Sequence, residues 1–176
     1  MLEQGAVLET SVNRNAVVAV TMATSRQGTG VVKELSKTNK YQIRAITRNI
    51  KSTKALELAS LNNVKVVKGD LMDPESLNKA FDGVEAIFGN TTPTTGWKLF
   101  RGSIVRSYEI KQGYNLINQV KIACEKGHLK HFIFSSISKA KDPLKNDPAP
   151  GHFTSKWDIE DYIQSFQSSL LALRQL

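Results

Sequence analysis

The stretch that most constrains this chain opens with Ala16-Val17-Val18-Ala19-Val20, breaks into the small, polar, glycine-containing segment Thr21 to Gly30, and resumes as Val31-Val32-Lys33-Glu34-Leu35. The first run suits a buried strand, and the last repeats its apolar residues at helical spacing. A strand turning this abruptly into a helix sets the helix N-terminus at the strand's carboxyl end. Unpaired N–H groups and the positive dipole end gather there, where a pyrophosphate sits in a dinucleotide-binding βαβ unit. A full fingerprint would carry glycine where Met22 and Ser25 stand. Thr24, Arg26, Gln27 and Gly28 remain as candidate phosphate-cradle residues. If position 25 needs a positive φ, serine there costs on the order of 1 kcal/mol, although its hydroxyl could still donate to phosphate. Met22 is bulky and threatens the close approach of backbone to ligand.

The same alternation continues. A helix from about Gly28 to Thr38 is followed by a strand at 41–47, a short helix N-capped by Ser52 or Thr53, and a strand at 64–68. Asp73-Pro74-Glu75-Ser76 combines an N-cap, proline at the first helical position and an early acid. That helix runs to Phe81, and strand four spans 84–88. A Thr/Gly-containing loop at 89–106 leads to the longest helix, about Ser107 to Lys126. Strand five (131–135), a Lys/Pro-rich loop (138–151), a helix (153–166) and a sixth strand at 170–173 complete the pattern. Nearly continuous apolar strands alternating with helices predict an α/β fold: a doubly wound parallel sheet, Rossmann-like, in the order 3-2-1-4-5-6. Residues 1–14 read as a flexible leader and 15–176 as one domain. Both long loops follow strands, so both belong at the carboxyl edge, where ligands bind in open α/β sheets.

Composition narrows the function classes. The chain has 176 residues, one cysteine, three histidines and a net charge of +8. Cys124 excludes an internal disulfide framework, and its setting on a helix flank reads as a packed thiol before a nucleophile. The histidine and cysteine count argues against a structural metal site, so no metal ligand is assigned. No window approaches the ~20 apolar residues of a membrane span, and no secretion signal opens the chain. A reducing cytoplasmic setting follows as the expectation. The basic balance suits anionic partners. Nucleic acid is disfavoured because the cations lack interleaved aromatics. The plain reading is lysine spread over a solvated surface; alternatively Lys98, Arg101, Arg106, Lys139, Lys141, Lys145 and Lys156 could make a positive rim around the cleft.

In chain order, Ala23-Thr24-Ser25-Arg26-Gln27-Gly28, Arg44 to Asn49, Gly69-Asp70-Leu71 with Asp73 to Leu77, Gln112-Gly113 with Asn115-Leu116, His131 to Ser136, and Gly151-His152-Phe153 with Ser155-Lys156 resemble the NmrA-like family of atypical short-chain dehydrogenase/reductases. The resemblance covers about residues 15–174 and implies an NAD(P)-binding Rossmann-type fold. Some members reduce small substrates; others have lost catalysis and act as nucleotide sensors or transcriptional co-regulators, which adds the nucleus to the expected locations. This sequence departs from the pattern at Met22 and Ser25 and at Tyr114, where the family has lysine. It also stops where a typical member continues into its last strands and substrate lobe, so most of that C-terminal lobe is expected to be lacking.

Several residues are assigned from pattern and resemblance together. Arg48 ends strand two, where NAD-specific folds place an acid, and arginine there favours a 2′-phosphate, hence NADP(H) over NAD(H). Asn49 adds a donor. By resemblance, Asp70 and Leu71 flank the adenine, with a turn aspartate as the plain alternative. Asn90, Thr91 and Thr92 follow strand four and could line the ribose–nicotinamide region. Lys156 matches the family lysine, which holds the ribose and lowers the pKa of a tyrosine proton donor. The position four residues earlier is His152 rather than tyrosine; it could act as an acid or be a plain loop residue. Ser135, with Ser136, could orient it. Three readings follow. The first is an NADP(H)-binding redox sensor or regulator with weak or no catalysis, working through a protein partner or homo-oligomer. The second is an NADPH-dependent reductase of a small carbonyl or quinone. The third is a degenerate paralogue that binds no nucleotide and serves as a protein-interaction module.

Overall fold

The computed structural model describes residues 16–92, 102–137 and 151–166, with side chains beginning at 106 and 154 in the last two blocks. Its elements are β1 (Val17–Val20), α1 (Arg26–Lys37), β2 (Gln42–Thr47), α2 (Thr53–Ala59), β3 (Val64–Lys68), α3 (Pro74–Phe81), β4 (Ala86–Gly89), α4 (Gly102–Glu125), β5 (His131–Phe134) and α5 (Gly151–Ser165). The strands form one parallel sheet in the order β3-β2-β1-β4-β5. The expected sixth strand at 170–173, the leader at 1–14, residues 93–101 of the first long loop and 138–150 of the second lie outside the described residues.

The direction of winding reverses between β1 and β4, and the core divides accordingly. On one face Val20, Val32, Ile43, Ala45 and Leu58 pack β1 and β2 against α1 and α2. On the other, Ala19, Ile46, Leu77, Ile87, Leu116, Val120 and Ile159 pack the sheet against α3, α4 and α5. Neighbouring strand residues feed opposite clusters, as Ala19 and Val20 do, because successive side chains alternate across a sheet. The crevice at the β1/β4 switch point is where ligands enter folds of this winding.

Local chemistry explains most element boundaries. Ser52 caps α2 by accepting from the Ala55 amide, and Asp73 caps α3 through the Glu75 and Ser76 amides, with Pro74 in the first turn. α1 starts at Arg26, two residues before the sequence expectation, because Ser25 caps it by accepting from the Gly28 amide. β4 starts at Ala86 rather than Val84, because the Val84 amide closes the turn after α3 on the Phe81 carbonyl. α4 begins at Gly102, earlier than the expected Ser107.

α4 and α5 approach closely at Gly113. A Cβ there would stand 2.3 Å from the Ile159 side chain. Glycine at 113 thus lets α5 settle on α4. The position one turn earlier on each helix, Glu109 and Ser155, is in direct hydrogen-bond contact.

Candidate functional site

The loop after β1 is clasped to the end of β4. The Thr21 amide donates to the Phe88 carbonyl at 3.0 Å. Its hydroxyl donates to the Asn90 carbonyl at 3.1 Å and accepts from the Asn90 amide at 2.8 Å. Thr21 and Asn90 are buried, so Asn90 works as a structural end-piece of the crevice.

Met22 then takes φ +49°, the left-handed region that favours glycine. Its carbonyl accepts from the Ser25 amide at 2.8 Å and lies 2.3 Å from where a Cβ on Gly28 would be. Glycine at 28 is therefore a steric requirement of the turn. Ser25 sits at φ −73°, so the strain considered for a serine there does not arise. Its oxygen accepts from the Gly28 amide at 3.0 Å. Of the two departures in this loop, only Met22 falls where the backbone asks for glycine. Arg26 and Gln27 supply the first turn of α1, which carries no acidic residue, an arrangement favourable to an anion.

Beside this loop lies a cavity of about 170 Å³, lined among others by Met22, Thr24, Thr47, Arg48, Asn49 and Leu71. It is of the order of the ~150 Å³ that admits a benzene ring. Thr24 and Thr47 share a hydroxyl–hydroxyl contact at 3.2 Å that ties the loop to the end of β2. Gly69 forms part of the wall, where a Cβ would strike Ile46 at 2.6 Å. Arg48 and Asn49 are exposed at the mouth. The Asn49 side-chain oxygen accepts from the Lys51 amide at 3.0 Å, which turns it onto its own loop. Asp70, paired with Leu71 in the sequence reading, is a turn residue: its carboxylate accepts from the Met72 amide at 2.9 Å, and only Leu71 lines the cavity.

The β4–β5 side is built from side chains. Lys156 of α5 is 16% exposed and Glu109 of α4 fully buried, with Nζ 3.4 Å from the carboxylate. Thr91, also buried, donates to Glu109 Oε1 at 2.9 Å and accepts from Lys156 Nζ at 3.1 Å. Ser155 donates to Glu109 Oε2. The ammonium lies over the Phe134 ring at 5.5 Å. Burial holds the Lys156 pKa below its ordinary value, and Glu109 pulls the other way through charge and hydrogen bonding. The Thr92 amide donates to Gln112 Oε1 at 3.2 Å. Ser135 donates to Gln27 Oε1 at 2.9 Å, joining the end of β5 to the start of α1. Ser135 thus reaches Gln27 across the crevice.

Glu109 was not among the residues singled out from sequence. The signal was present: Glu109 lies seven and eleven residues before Leu116 and Val120, all fully buried, so a carboxylate sits on the apolar stripe of α4. The positive rim is not realised at Arg106, which pairs with Asp158 across α4 and α5 at 2.7 Å. Lys98, Arg101, Lys139, Lys141, Lys145 and the His152 side chain lie outside the described residues. Tyr162 stacks on Tyr114 at 4.1 Å, packs against the core and donates to Asn118 at 2.8 Å, on the α4–α5 seam. Among the described residues, no group of three potential metal-ligating side chains comes together, and no helix is long and apolar enough to cross a membrane.

Comparison with known proteins agrees with this geometry. The NmrA-like family matches residues 14–171. The NmrA-like family domain-containing oxidoreductase hkm9 of Aspergillus hancockii is 33% identical over 120 residues, 68% of this chain and 33% of that protein. The negative transcriptional regulator NmrA, solved in complex with NADP and with NAD, superposes with a TM-score of 0.67 at 25% identity, over 86% of this chain and 42% of NmrA. The NADPH-dependent quinone oxidoreductase QOR2 of Escherichia coli, complexed with NADPH, gives 0.62 at 26% identity, over 84% of this chain and 44% of that one. The chain thus spans a third of the length of the Aspergillus relative and under half that of the solved structures. Its sheet order, the glycine-dependent turn at Gly28 and the extent of the family match carry one conclusion: the chain belongs to the NmrA-like family.

Proposed function

We propose that this chain is the NADP(H)-binding part of a redox sensor or regulator that transfers hydride weakly or not at all. The observation that carries the reading is the turn at Gly28, which has no room for a Cβ and opens onto the cavity beside Arg48. The residues present fit a dinucleotide. The first turn of α1 at Arg26 and Gln27 would hold the pyrophosphate, and Arg48 the 2′-phosphate. The cavity wall at Leu71 would receive the adenine, and Lys156 with Thr91 the ribose hydroxyls. A bound nicotinamide supplies or accepts a hydride. Reducing a carbonyl also needs a proton donor beside the acceptor, and His152 stands where the family resemblance places tyrosine. The solved negative transcriptional regulator NmrA, in complex with NADP or NAD, lends the sensor reading a parallel. A protein partner in the cytoplasm or nucleus belongs to this reading. Among the described residues, Ile133, 62% exposed on β5, the last of the five described strands, is the large apolar residue most available to it.

The second reading, an NADPH-dependent reductase of a small carbonyl or quinone, is favoured by the buried Lys156 beside Thr91 and by the oxidoreductase names of the relatives. Calorimetric titration with NADPH and NADH, followed by NADPH oxidation with a panel of quinones and aldehydes, separates the readings. Binding without turnover is the expected result. Turnover within the ordinary range of about 1–1000 per second, lost in Lys156→Ala, would promote the reductase. Failure to bind either nucleotide would leave the interaction module.

A further inference from the structure

Among the described residues Glu109 is the one fully buried carboxylate, and the groups around its oxygens are hydrogen-bond donors: Thr91 Oγ1 at 2.9 Å, Ser155 Oγ, and Lys156 Nζ at 3.4 Å. A carboxylate accepts at both oxygens and donates at neither. The Thr91 hydroxyl has one proton, and it goes to Glu109. Its oxygen is therefore left to accept, which it does from Lys156 at 3.1 Å. The donor order runs one way, from ammonium to hydroxyl to carboxylate, and the rotation of each group is fixed by the next. Gly113 permits this by letting α5 settle against α4 one turn beyond Glu109.

We propose that Glu109 is a positioning residue for Lys156 and Thr91. It fixes a cation and an oriented hydroxyl oxygen side by side at the carboxyl edge of the sheet, a pairing that suits the vicinal hydroxyls of a sugar. The identity of the ligand rests on the nucleotide reading above; the role of Glu109 toward Lys156 does not. An ammonium has three N–H donors. Among the described residues Thr91 and Glu109 take two, which leaves the third for a ligand oxygen. The Thr91 oxygen in turn accepts from a ligand hydroxyl. Without the carboxylate, the ammonium would be half-desolvated with no counter-charge, and the threonine hydroxyl would be free to rotate.

Among the described residues, the charged and titratable groups around Lys156 are few. α4 contributes Glu109, and also Arg106, which is paired with Asp158. The strand side presents the Phe134 ring and Thr91. On α5 itself, Glu160 is held by Ser136 at 2.9 Å, Asp158 by Arg106, and His152 lies one turn before. Glu109 is thus the counter-charge whose removal Lys156 should register.

The test reads Lys156 directly. Competitive acetylation of the folded protein between pH 7 and 11, quantified by mass spectrometry against the exposed Lys37 and Lys79, follows its ammonium without any nucleotide. In Glu109→Gln the Lys156 curve should move to lower pH, and labelling at pH 8 should rise about ten-fold for each unit of displacement. Glu109→Asp, which keeps the charge, should restore part of the shift. If Glu109→Gln does not fold, Thr91→Val carries the test and should move the curve the same way by less. Unchanged Lys156 labelling in the variant that folds overturns the proposal. NADPH titration of the same proteins is the second readout. Glu109→Gln should weaken binding several-fold in wild-type background and add nothing in Lys156→Met, the non-additivity expected of two residues acting through one group. Additive losses overturn the positioning role. A labelling shift in a protein that binds no NADPH keeps the role of Glu109 and sinks the nucleotide reading alone.

Discussion

The two halves of the carboxyl edge are made of different things. On the β1–β2 side the shape comes from backbone: a left-handed residue at Met22, a glycine at 28 with no room for a Cβ, another at 69 against Ile46, and an exposed arginine at the mouth. On the β4–β5 side it comes from buried side chains, Glu109, Thr91, Ser155 and Lys156, drawn from three segments far apart in sequence. The first half is set by what its backbone has room for. The second is set by a buried charge that must be satisfied. The two should therefore fail differently: losing the buried charge of the second should cost stability most, and losing the exposed arginine of the first should cost affinity alone.

The largest effect should come from Glu109→Leu. Removing one partner of a buried ion pair leaves the other uncompensated, typically about 3–5 kcal/mol, discounted toward the lower end because Lys156 keeps some access to water. Arg48→Leu, at the exposed mouth of the other half, should stay within about 0.5 kcal/mol of wild type. Urea unfolding of both variants checks the contrast, and equal losses would erase it. Lys156 also gives the contrast a pH sign. Its pKa is lowered in the folded state, so the folded protein releases that proton before the unfolded chain does. Between the lowered value and the ordinary one the unfolded state binds more protons, and the contribution of Lys156 to stability rises with pH. Glu109→Gln should extend that rise to lower pH, readable as melting temperature from pH 8 upward.

Gly28→Ala comes next. The added methyl meets the Met22 carbonyl, and a clash of that kind typically costs about 1–3 kcal/mol or displaces the backbone. Nucleotide affinity should fall with it, because the turn and the start of α1 move together. Gly30→Ala, two residues on and with nothing within 4 Å, should be neutral or stabilising by about 0.5–1 kcal/mol. Arg48→Ala should leave stability alone and weaken NADP(H) about ten-fold or more, in line with the ~1.5–3 kcal/mol of a charge-assisted hydrogen bond, while NAD(H) is nearly unchanged. Equal loss of both cofactors would remove the 2′-phosphate assignment.

What could be read from the sequence follows the same divide. The strand pattern, the caps at Ser52 and Asp73 and the sheet order through β5 were legible because each rests on local spacing and residue type. Gly28 was legible as part of a contiguous loop. Glu109 was legible only as a carboxylate on the apolar stripe of α4; what holds it was not, since its partners lie 18 and 46 residues away and come together only when α5 packs on α4. Asp70 shows the converse. The sequence left it open between an adenine contact and a plain turn aspartate, and the structure gives it the local partner that an aspartate before a proline-started helix finds, the Met72 amide.

The smallest effects separate the two departures within the loop itself. From sequence, replacing Met22 and Ser25 together by glycine should tighten nucleotide binding; the backbone now divides the pair. Met22 occupies the left-handed region, where a side chain costs roughly 1–2 kcal/mol, but it also packs against the core and lines the cavity. Met22→Gly removes strain and opens the approach to the first turn of α1, while giving up apolar contact. NADPH affinity should improve a few-fold, with little net change in melting temperature. Ser25 has an ordinary φ and caps α1 through the Gly28 amide. Glycine there relieves nothing and loses the cap, a few tenths of a kcal/mol, along with a hydroxyl in the loop proposed to hold the phosphate. Ser25→Gly should bind NADPH equally or slightly less well. Titration of the two single variants and the double tests this directly. Improvement from Ser25→Gly, or none from Met22→Gly, would mean that the backbone of this turn does not set its affinity.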